Sequence, residues 1–297
     1  MYLGIEIGGT KLQLGVGPGD GTIRPIWRGA VDPAAGGAGI LSRIEAAIPV
    51  LLGQAGLTLA NLKAVGVGFG GPTDDATQSV IKSHHIHGWD GFPLGDWVTK
   101  ITGLPAAVCN DADVAGLAEA KFGAGKGLSP VFYITVGSGI GGGLILDGKI
   151  YRGVGKGAAE VGHLRPVYPL GPAPHDDILE HFASGWGIGK AGNRTGKEVA
   201  EAAVRGDPAA RAIFDRATQA LAEGVCSVIK LLCPRRVVIG GGVSLVGEEL
   251  FFQPIRRYVA ERGFAAFAGL TDIVPAALGE EVVVHGALAL ARDRVGG

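Results

Sequence analysis

Two stretches far apart in the chain share one pattern, in which two runs of alternating apolar residues flank a glycine-rich turn. The first covers residues 2–16 with its turn at 8–11, and the second covers residues 131–146 with its turn at 137–143. Alternation with a period of two predicts strands, and the glycines between them predict hairpins. Helices and a further strand follow each hairpin. We therefore expect an α/β protein with two similar lobes, related by an internal duplication.

The composition limits the classes of partner. Of 297 residues, 53 are glycine, and they lie between apolar runs, which favours many tight turns over disorder. The net charge is −1 and no run of Lys or Arg occurs, so we expect no nucleic-acid and no membrane partner. Three cysteines in apolar surroundings, with no basic, apolar leader at the N-terminus, predict buried reduced thiols in a cytoplasmic protein; these are Cys109, Cys226 and Cys233.

An acid lies where a strand changes into a helix. Residues 106–109 are apolar, Asn110 and Asp111 follow, and a rhythm of 3.6 residues then continues to Gly123. Asp111 at such a junction can cap the new helix, which its position alone favours. It can also present a carboxylate at the carboxyl end of a strand, where open α/β sheets bind ligands. The local pattern leaves both roles open.

The glycine turns match two familiar nucleotide motifs poorly. Residues 137–142 and 66–71 both fit the G-x-G-x-x-G string, but a strand follows the first and a proline follows the second. The dinucleotide motif needs a helix directly after the glycines, so we exclude it, and no P-loop string occurs. Glycine hairpins with hydroxyl groups can instead surround phosphate oxygens with backbone N–H groups. One per lobe, with a carboxylate between them, would suit a nucleotide held in a cleft.

Seven strings together resemble the ROK family of sugar kinases, within the actin-like ATPase superfamily, along nearly the whole chain. They are GIEIGGTK (4–11), GFGGPTD (68–74), NDAD (110–113), TVGSGIGGG (135–143), AEVGH (159–163), LEHFASG (179–185) and VVIGGGV (237–243). Each string alone is weak evidence, and AEVGH and the Asn-Asp unit are the most specific of them.

The resemblance implies an α/β fold of two actin-like ATPase (ribonuclease H-like) lobes with a cleft between them. On this basis residues 1–116 form the N-terminal lobe and residues 117–297 the C-terminal lobe, with a last helix at about 285–297 packing back on the N-terminal lobe. The implied activity is ATP-dependent phosphorylation of the 6-hydroxyl of a hexose, with glucose favoured. A homodimer is implied by the resemblance alone.

The resemblance also assigns roles to residues of this chain. Asp111 would be the general base that takes the proton from the attacking hydroxyl. The sugar-binding residues would be Gly71, Asn110, Asp111, Glu160, His163 and Glu180. ATP, with Mg²⁺, would contact Gly8, Gly9, Thr10, Lys11, Thr135, Gly137, Ser138, Gly139, Gly241 and Gly242.

Two departures from the family pattern affect the expected metal chemistry. Glu6 stands where most ROK kinases carry Asp, so any contact to Mg²⁺ through water must change its geometry. The cysteine-rich zinc motif that usually lies between His163 and Glu180 is absent, since residues 164–179 contain no cysteine. One histidine cannot complete a tetrahedral site, so we expect no structural zinc and another partner for His163. Two other groups are weaker metal candidates. For His175, Asp176 and Asp177 an ordinary surface loop is favoured. For His84, His85 and His87 a position that lines the sugar cleft or lies in solvent is favoured.

Four other functions compete with a glucose kinase. The sugar could be fructose, mannose, N-acetylmannosamine or N-acetylglucosamine, and polyphosphate could replace ATP, although no basic track supports that donor. A non-catalytic sugar-binding ROK protein would not need Asp111. A ROK repressor would need a DNA-binding domain before the first hairpin, which here begins at Tyr2.

Overall fold

The computed structural model describes residues 1–83, 86–166 and 178–296 of the chain. Its strands are β1 (Tyr2–Ile7), β2 (Lys11–Gly17), β3 (Ile26–Ala30), β4 (Val65–Phe69), β5 (Thr73–Asp74), β6 (Ser79–Val80), β7 (Ala106–Asn110), β8 (Val131–Val136), β9 (Ile140–Leu146), β10 (Lys149–Ile150), β11 (Arg236–Gly240) and β12 (Asp272–Pro275). Its α-helices are α1 (Gly36–Ala55), α2 (Leu94–Thr102), α3 (Asp111–Phe122), α4 (Leu179–Ala183), α5 (Gly185–Gly192), α6 (Gly196–Val204), α7 (Pro208–Leu232), α8 (Gln253–Arg262) and α9 (Val282–Arg294).

The chain forms two compact units. Unit 1 comprises Met1–Lys126, Gly148–Ala158 and Leu278–Gly297, and unit 2 comprises Gly127–Asp147 and Ala159–Ala277. The first change of unit therefore follows Lys126 and not residue 116. The reason is that α3 is one continuous helix, which packs against α9 within unit 1. A boundary at 116/117 would cut this helix in half.

Unit 1 is built on a five-stranded sheet with the order β3-β2-β1-β4-β7. The hairpin β1–β2 is antiparallel, whereas β4 lies parallel to β1 and β7 parallel to β4. Every residue of β1 and β4 is buried, as expected for strands covered on both faces. Helices α3 and α9 both pack on β4, and α9 also packs on β1.

Helix α1 belongs to the core of unit 1. Its apolar side chains recur at helical spacing, and Ile40, Ile44 and Leu51 are at most 1% exposed. They join the side chains of β1, β2 and β4 in one apolar cluster. Among the described residues, the stretch Pro33–Ala55 is the only helical segment long and apolar enough to span a membrane.

Unit 2 repeats the arrangement of unit 1. Strands β9, β8, β11 and β12 follow one another in its sheet, with β8–β9 antiparallel and β8–β11 and β11–β12 parallel. In unit 1 the strands β2, β1, β4 and β7 are neighbours in that order, with the same pattern of one antiparallel pair followed by two parallel pairs. Helix α7, which the sequence predicts at 208–232, packs against α4, α5, α6 and α8 around the second apolar cluster.

The cysteines differ in their surroundings. Cys109 and Cys226 are buried, but Cys233 is half-buried, so the expectation of three buried thiols is wrong for this residue. Cys233 ends α7 in the left-handed conformation, with φ 42°. A residue that ends a helix in this way lies where the chain turns, which explains its partial exposure.

Candidate active site

Three parallel strands of unit 1 end side by side. Ile7 on β1 pairs with Phe69 on β4, and Phe69 pairs with Asn110 on β7. The backbone N–H of Gly70 also donates to the carbonyl of Ile7 at 2.8 Å. The glycines after β1 and β4 therefore reach the same edge of the sheet as Asp111, which follows β7. This edge is the carboxyl end of the parallel strands, where such sheets bind ligands.

Asn110 caps helix α3. Its backbone is extended, and its Oδ1 accepts hydrogen bonds from the backbone N–H groups of Ala112 at 2.9 Å and Asp113 at 3.3 Å. Its Nδ2 donates to the carbonyl of Gly71 at 3.1 Å. The expectation that Asp111 caps the helix is therefore wrong. Asp111 is the first helical residue, whereas the N-cap position, which has a non-helical backbone, is occupied by Asn110.

The carboxylate of Asp111 lies over the turn that follows β4. A Cβ atom built on Gly70 would lie 3.4 Å from Asp111 Oδ2, 3.3 Å from the carbonyl oxygen of Ile7 and 3.6 Å from the Cα of Gly8. A small pocket opens at this point, lined by Gly8, Gly9 and Gly70 together with Trp89. The structure thus brings together the first glycine hairpin, Gly71, Asn110 and Asp111.

A second acid lies beside this group. Glu6 is 3% exposed, accepts from Gln13 Nε2 at 3.1 Å, and pairs with Lys11 Nζ at 3.2 Å. Burial raises the pKa of Glu6 to about 7, opposed by the ion pair with Lys11 and assisted by the nearby charge of Asp111. Lys11 also donates to the carbonyl of Glu280 at 3.1 Å. The lysine assigned to ATP phosphates is thus held by the protein itself in this structure.

Arg152 fixes the first turn of α3, a role that no sequence pattern predicts. Its guanidinium donates to Asp75 Oδ1 at 3.0 Å, to the carbonyl oxygen of Thr73 at 2.9 Å and to Asp113 Oδ2. Asp113 is 2% exposed, two residues after Asp111. Burial raises the pKa of the neighbouring Cys109 thiol, with the charge of Asp113 adding to the effect, so this thiol is no nucleophile. A lone arginine in a glycine-rich segment carries no sequence signal of such contacts.

Three of the glycines assigned to ATP face open space. A Cβ atom built on Gly9, Gly137 or Gly242 would meet nothing within 4 Å. A ligand can therefore approach the backbone closely at these points. Gly241 requires glycine for a different reason: its φ is 90°, and a Cβ atom there would lie 2.5 Å from the carbonyl oxygen of Val136. Thr10 likewise has a backbone role, because its carbonyl accepts from Val31 at 3.0 Å.

The second hairpin is held by the corner between α4 and α5. Gly185 N donates to the carbonyl of Gly137 at 2.7 Å, and Trp186 N donates to that of Ser138 at 3.3 Å. Ile140 N donates to Glu180 Oε2 at 2.7 Å. Thr135, next to the turn, pairs with Gly240 of β11, directly before Gly241 and Gly242. Unit 2 thus brings Glu180 and the assigned glycines of both turns together.

Glu160 and His163 lie on one turn of unit 2. Residues Val161–His163 form a short 3₁₀ turn, and His163 N donates to the carbonyl of Glu160 at 3.1 Å. Both side chains are exposed. Ala159, just before them, has a φ of 61°, which is uncommon for a residue other than glycine. Backbone strain of this kind often accompanies a functional segment.

Several predicted metal candidates lie outside the described residues. They are His84, His85, His175, Asp176 and Asp177. Within residues 1–83, 86–166 and 178–296, no three His, Cys, Asp or Glu side chains form a group that could hold a metal ion. The acids near the first hairpin suit Mg²⁺ that arrives with ATP, because this ion is commonly bound by one or two carboxylates, phosphate oxygens and water. Both carboxylate oxygens of Glu6 already contact protein side chains, those of Lys11 and Gln13.

Comparison with known proteins places this geometry in a family. The ROK family model matches residues 2–294. The chain is 31% identical to the glucokinase of Halalkalibacterium halodurans, covering 96% of this chain and 93% of that protein. It is also 31% identical to the glucokinase of Thermotoga maritima, covering 99% and 98%.

A solved structure has the same fold. The ROK family glucokinase from Streptomyces griseus, in complex with glucose and AMPPNP, superposes with a TM-score of 0.82 at 33% identity, covering 98% of this chain and 99% of that one. The two α/β units therefore have the actin-like ATPase fold. The match extends over almost every residue, and the chain belongs to the ROK family.

Proposed function

We propose that this protein is an ATP-dependent kinase that phosphorylates the 6-hydroxyl of glucose, with Asp111 as the general base. The observation that carries the proposal is the position of the Asp111 carboxylate. It lies over Gly70 at the edge of the sheet, while Asn110 satisfies the helix N-terminus. Two of the full-length relatives, those of Halalkalibacterium halodurans and Thermotoga maritima, are glucokinases, and the Streptomyces griseus glucokinase was solved in complex with glucose and an ATP analogue.

In the proposed reaction, the sugar O6–H donates its proton to a carboxylate oxygen of Asp111. The O6 oxygen attacks the γ-phosphorus as the bond to the bridging oxygen of ADP breaks. The products are a sugar 6-phosphate, ADP and the proton held by Asp111. A positioned base of this kind contributes ~10²–10⁴ in rate. The rest comes from orientation and from neutralising phosphate charge, which Mg²⁺ bound to the nucleotide and the backbone N–H groups of the turns supply.

The remaining assigned residues have supporting roles in the proposal. Asn110 holds the loop at Gly71 and leaves one amide hydrogen for a sugar hydroxyl, because its Nδ2 carries two and one is donated to the carbonyl. Glu160 and His163 supply an acceptor and an imidazole from one turn, and Glu180 supplies a further carboxylate. The open turns at Gly9, Gly137 and Gly242 are proposed to receive phosphate oxygens.

The test is a coupled assay of ADP release with purified protein, ATP and a panel of sugars. The panel contains glucose, fructose, mannose, N-acetylmannosamine and N-acetylglucosamine, and polyphosphate is compared with ATP as donor. We expect the highest kcat/KM for glucose with ATP, and a product identical to glucose 6-phosphate by NMR. Absence of turnover on every sugar would reject the kinase. A higher kcat/KM for another sugar would reject glucose alone.

Homodimerisation and a cytoplasmic location are part of the proposal by family resemblance. Sedimentation equilibrium measures the first directly. A molar mass equal to that of one chain, 30.2 kDa, would reject the dimer without affecting the proposed reaction.

A further inference from the structure

Glu180 makes a contact that its assigned role as a sugar ligand does not require. Its Oε2 accepts a hydrogen bond from the backbone N–H of Ile140 at 2.7 Å. Ile140 is the first residue of β9, directly after the turn at Gly137–Gly139 that is proposed to receive phosphate. A Cβ atom on Gly139 would lie 2.5 Å from the same oxygen, so glycine at this position is what allows the carboxylate to approach.

The segment that carries Glu180 is rigidly placed. Helix α5 packs so closely on α4 that a Cβ atom on Gly187 would lie 2.2 Å from the carbonyl oxygen of His181. Two backbone bonds, from Gly185 and Trp186, join the same corner to Gly137 and Ser138. Movement of the Glu180 carboxylate therefore acts on a turn that is already fixed at two points. Among the described residues, the hydrogen bond from Ile140 to Glu180 is the one bond between this turn and the α4–α5 corner that involves a side chain.

A carboxylate has two oxygens and accepts several hydrogen bonds at once. With one oxygen on Ile140, the other can accept from a sugar hydroxyl. We propose that Glu180 is a positioning residue that links sugar binding to the second glycine hairpin, so that a bound sugar strengthens nucleotide binding. This inference rests on the proposed function, since it takes the sugar and the nucleotide as the two ligands.

The link predicts a measurable coupling between the two ligands. Calorimetry gives the Kd of AMPPNP, with Mg²⁺, in the absence of sugar and at saturating glucose. Couplings between two sites typically change affinity by ~5–150-fold, and the sugar must gain the same factor from the nucleotide. We expect at least about a fivefold tightening for the wild type. The coupling ratio is the Kd of AMPPNP without sugar divided by its Kd at saturating glucose. A coupling ratio of one for the wild type would overturn the proposal.

Variants separate the link from simple sugar binding. Glu180→Ala removes both contacts, so its ratio should fall to about one even at saturating sugar. Glu180→Gln keeps an oxygen for Ile140 and an amide for the sugar, and should retain most of the coupling. Gly139→Ala displaces the carboxylate without changing Glu180, and should lower the ratio as Glu180→Ala does. Preservation of the wild-type ratio in Glu180→Ala would contradict the link.

Glu160→Ala is the matched control. Glu160 is another carboxylate of unit 2 assigned to the sugar, and no hydrogen bond joins its side chain to the hairpin among the described residues. Its loss should raise the glucose concentration needed for saturation and leave the coupling ratio intact. Failure of the proposed function is seen separately, because the wild type would then phosphorylate no sugar. In that case weaker AMPPNP binding by Glu180→Ala without sugar still tests whether the Ile140 bond positions the hairpin.

Discussion

The two units use the same four-strand order and differ in the residues at the ends of their strands. Glycine comes directly after the first strand of each parallel set, at Gly8 and Gly137, and occurs again at the end of the second. The third strand differs, because β7 leads into Asp111 whereas β12 ends at Pro275. One architecture therefore builds a glycine turn twice and places an acid at the third strand only once. This asymmetry suits the proposed reaction, which has one base and several phosphate contacts.

The two hairpins are also stabilised in different ways. In unit 1 the charge lies inside the hairpin, where buried Glu6 contacts Lys11 and Gln13. The position matching Glu6, one residue before the strand ends, is the neutral Thr135 in unit 2. There the charge comes from outside, as Glu180 on α4. Burial raises the pKa of the internal acid, Glu6, whereas the external acid, Glu180, is the one proposed to contact the sugar as well.

The largest expected effect comes from removing the acid that only unit 1 has. Asp111→Asn keeps the volume and takes away the base, so we expect kcat to fall by ~10²–10⁴ while the KM for sugar changes little. The measurement is the steady-state rate over a sugar titration at saturating ATP.

Asp272→Asn is its control on β12, the equivalent strand of unit 2. Asp272 lies at the start of that strand and pairs with Arg236 at 2.9 Å, far in sequence from any assigned residue. We expect its kcat to equal that of the wild type. If Asp111→Asn instead loses sugar affinity and thermal stability in proportion to kcat, the residue supports the fold and the asymmetry has no catalytic meaning.

Local sequence patterns predicted many of the elements of the two units. Strand alternation and glycine turns located both hairpins, and helical spacing located α7 at its observed limits. These features succeed because each depends on residues close together in the chain. The local pattern favoured Asp111 as the cap and missed Asn110, because the two residue types cap helices about equally well and nothing in the pattern separates them. Only the extended backbone of Asn110 decides it.

Contacts between residues far apart in the chain could not be predicted from the sequence. Arg152 lies 39 residues from Asp113 and 77 from Asp75, and Ile140 lies 40 residues from Glu180. Nothing in the pattern of a single sequence specifies such pairs. The family resemblance named Glu180 as a sugar ligand, but the bond to Ile140 depends on how α4 and α5 pack.

The internal charge of the first hairpin predicts a pH dependence. The pKa of Glu6 is raised from 4.5 to about 7, so the folded protein keeps this proton over a range in which the unfolded chain has lost it. Stability should therefore fall as the pH rises from about 4.5 to about 7, and then level off. The shift corresponds to at most about 3 kcal/mol. Urea unfolding of Glu6→Gln and wild type in magnesium-free buffer, at several pH values across this range, measures the difference.

We expect Glu6→Gln to gain stability relative to the wild type as the pH rises through this window. Thr135→Val, at the matching position of unit 2, removes no titrating group and should keep the wild-type pH profile. A Glu6→Gln profile parallel to that of the wild type would mean that Glu6 titrates normally. The contrast between an internal and an external charge would then lose its energetic basis.

The smallest expected effect tests how the two sheets are covered. Gly66 on β4 lies under α9, and a Cβ atom there would fall 1.9 Å from the carbonyl oxygen of Ala287. The matching second residue of β11 is the fully buried Val237, so unit 2 tolerates a side chain where unit 1 does not. Gly66→Ala should therefore push α9 outwards and lower the free energy of unfolding by about 1–3 kcal/mol.

Gly53→Ala is the control for this substitution, because Gly53 lies in α1 with nothing within 4 Å of a built Cβ atom. It should stabilise unit 1 by about 0.5–1 kcal/mol, as alanine does inside a helix. Urea unfolding of both variants gives opposite signs if close helix packing, and not glycine itself, is what β4 requires. Equal and small effects would mean that α9 moves freely on the sheet. The buried glycines of β4 would then have no packing role to distinguish unit 1 from unit 2.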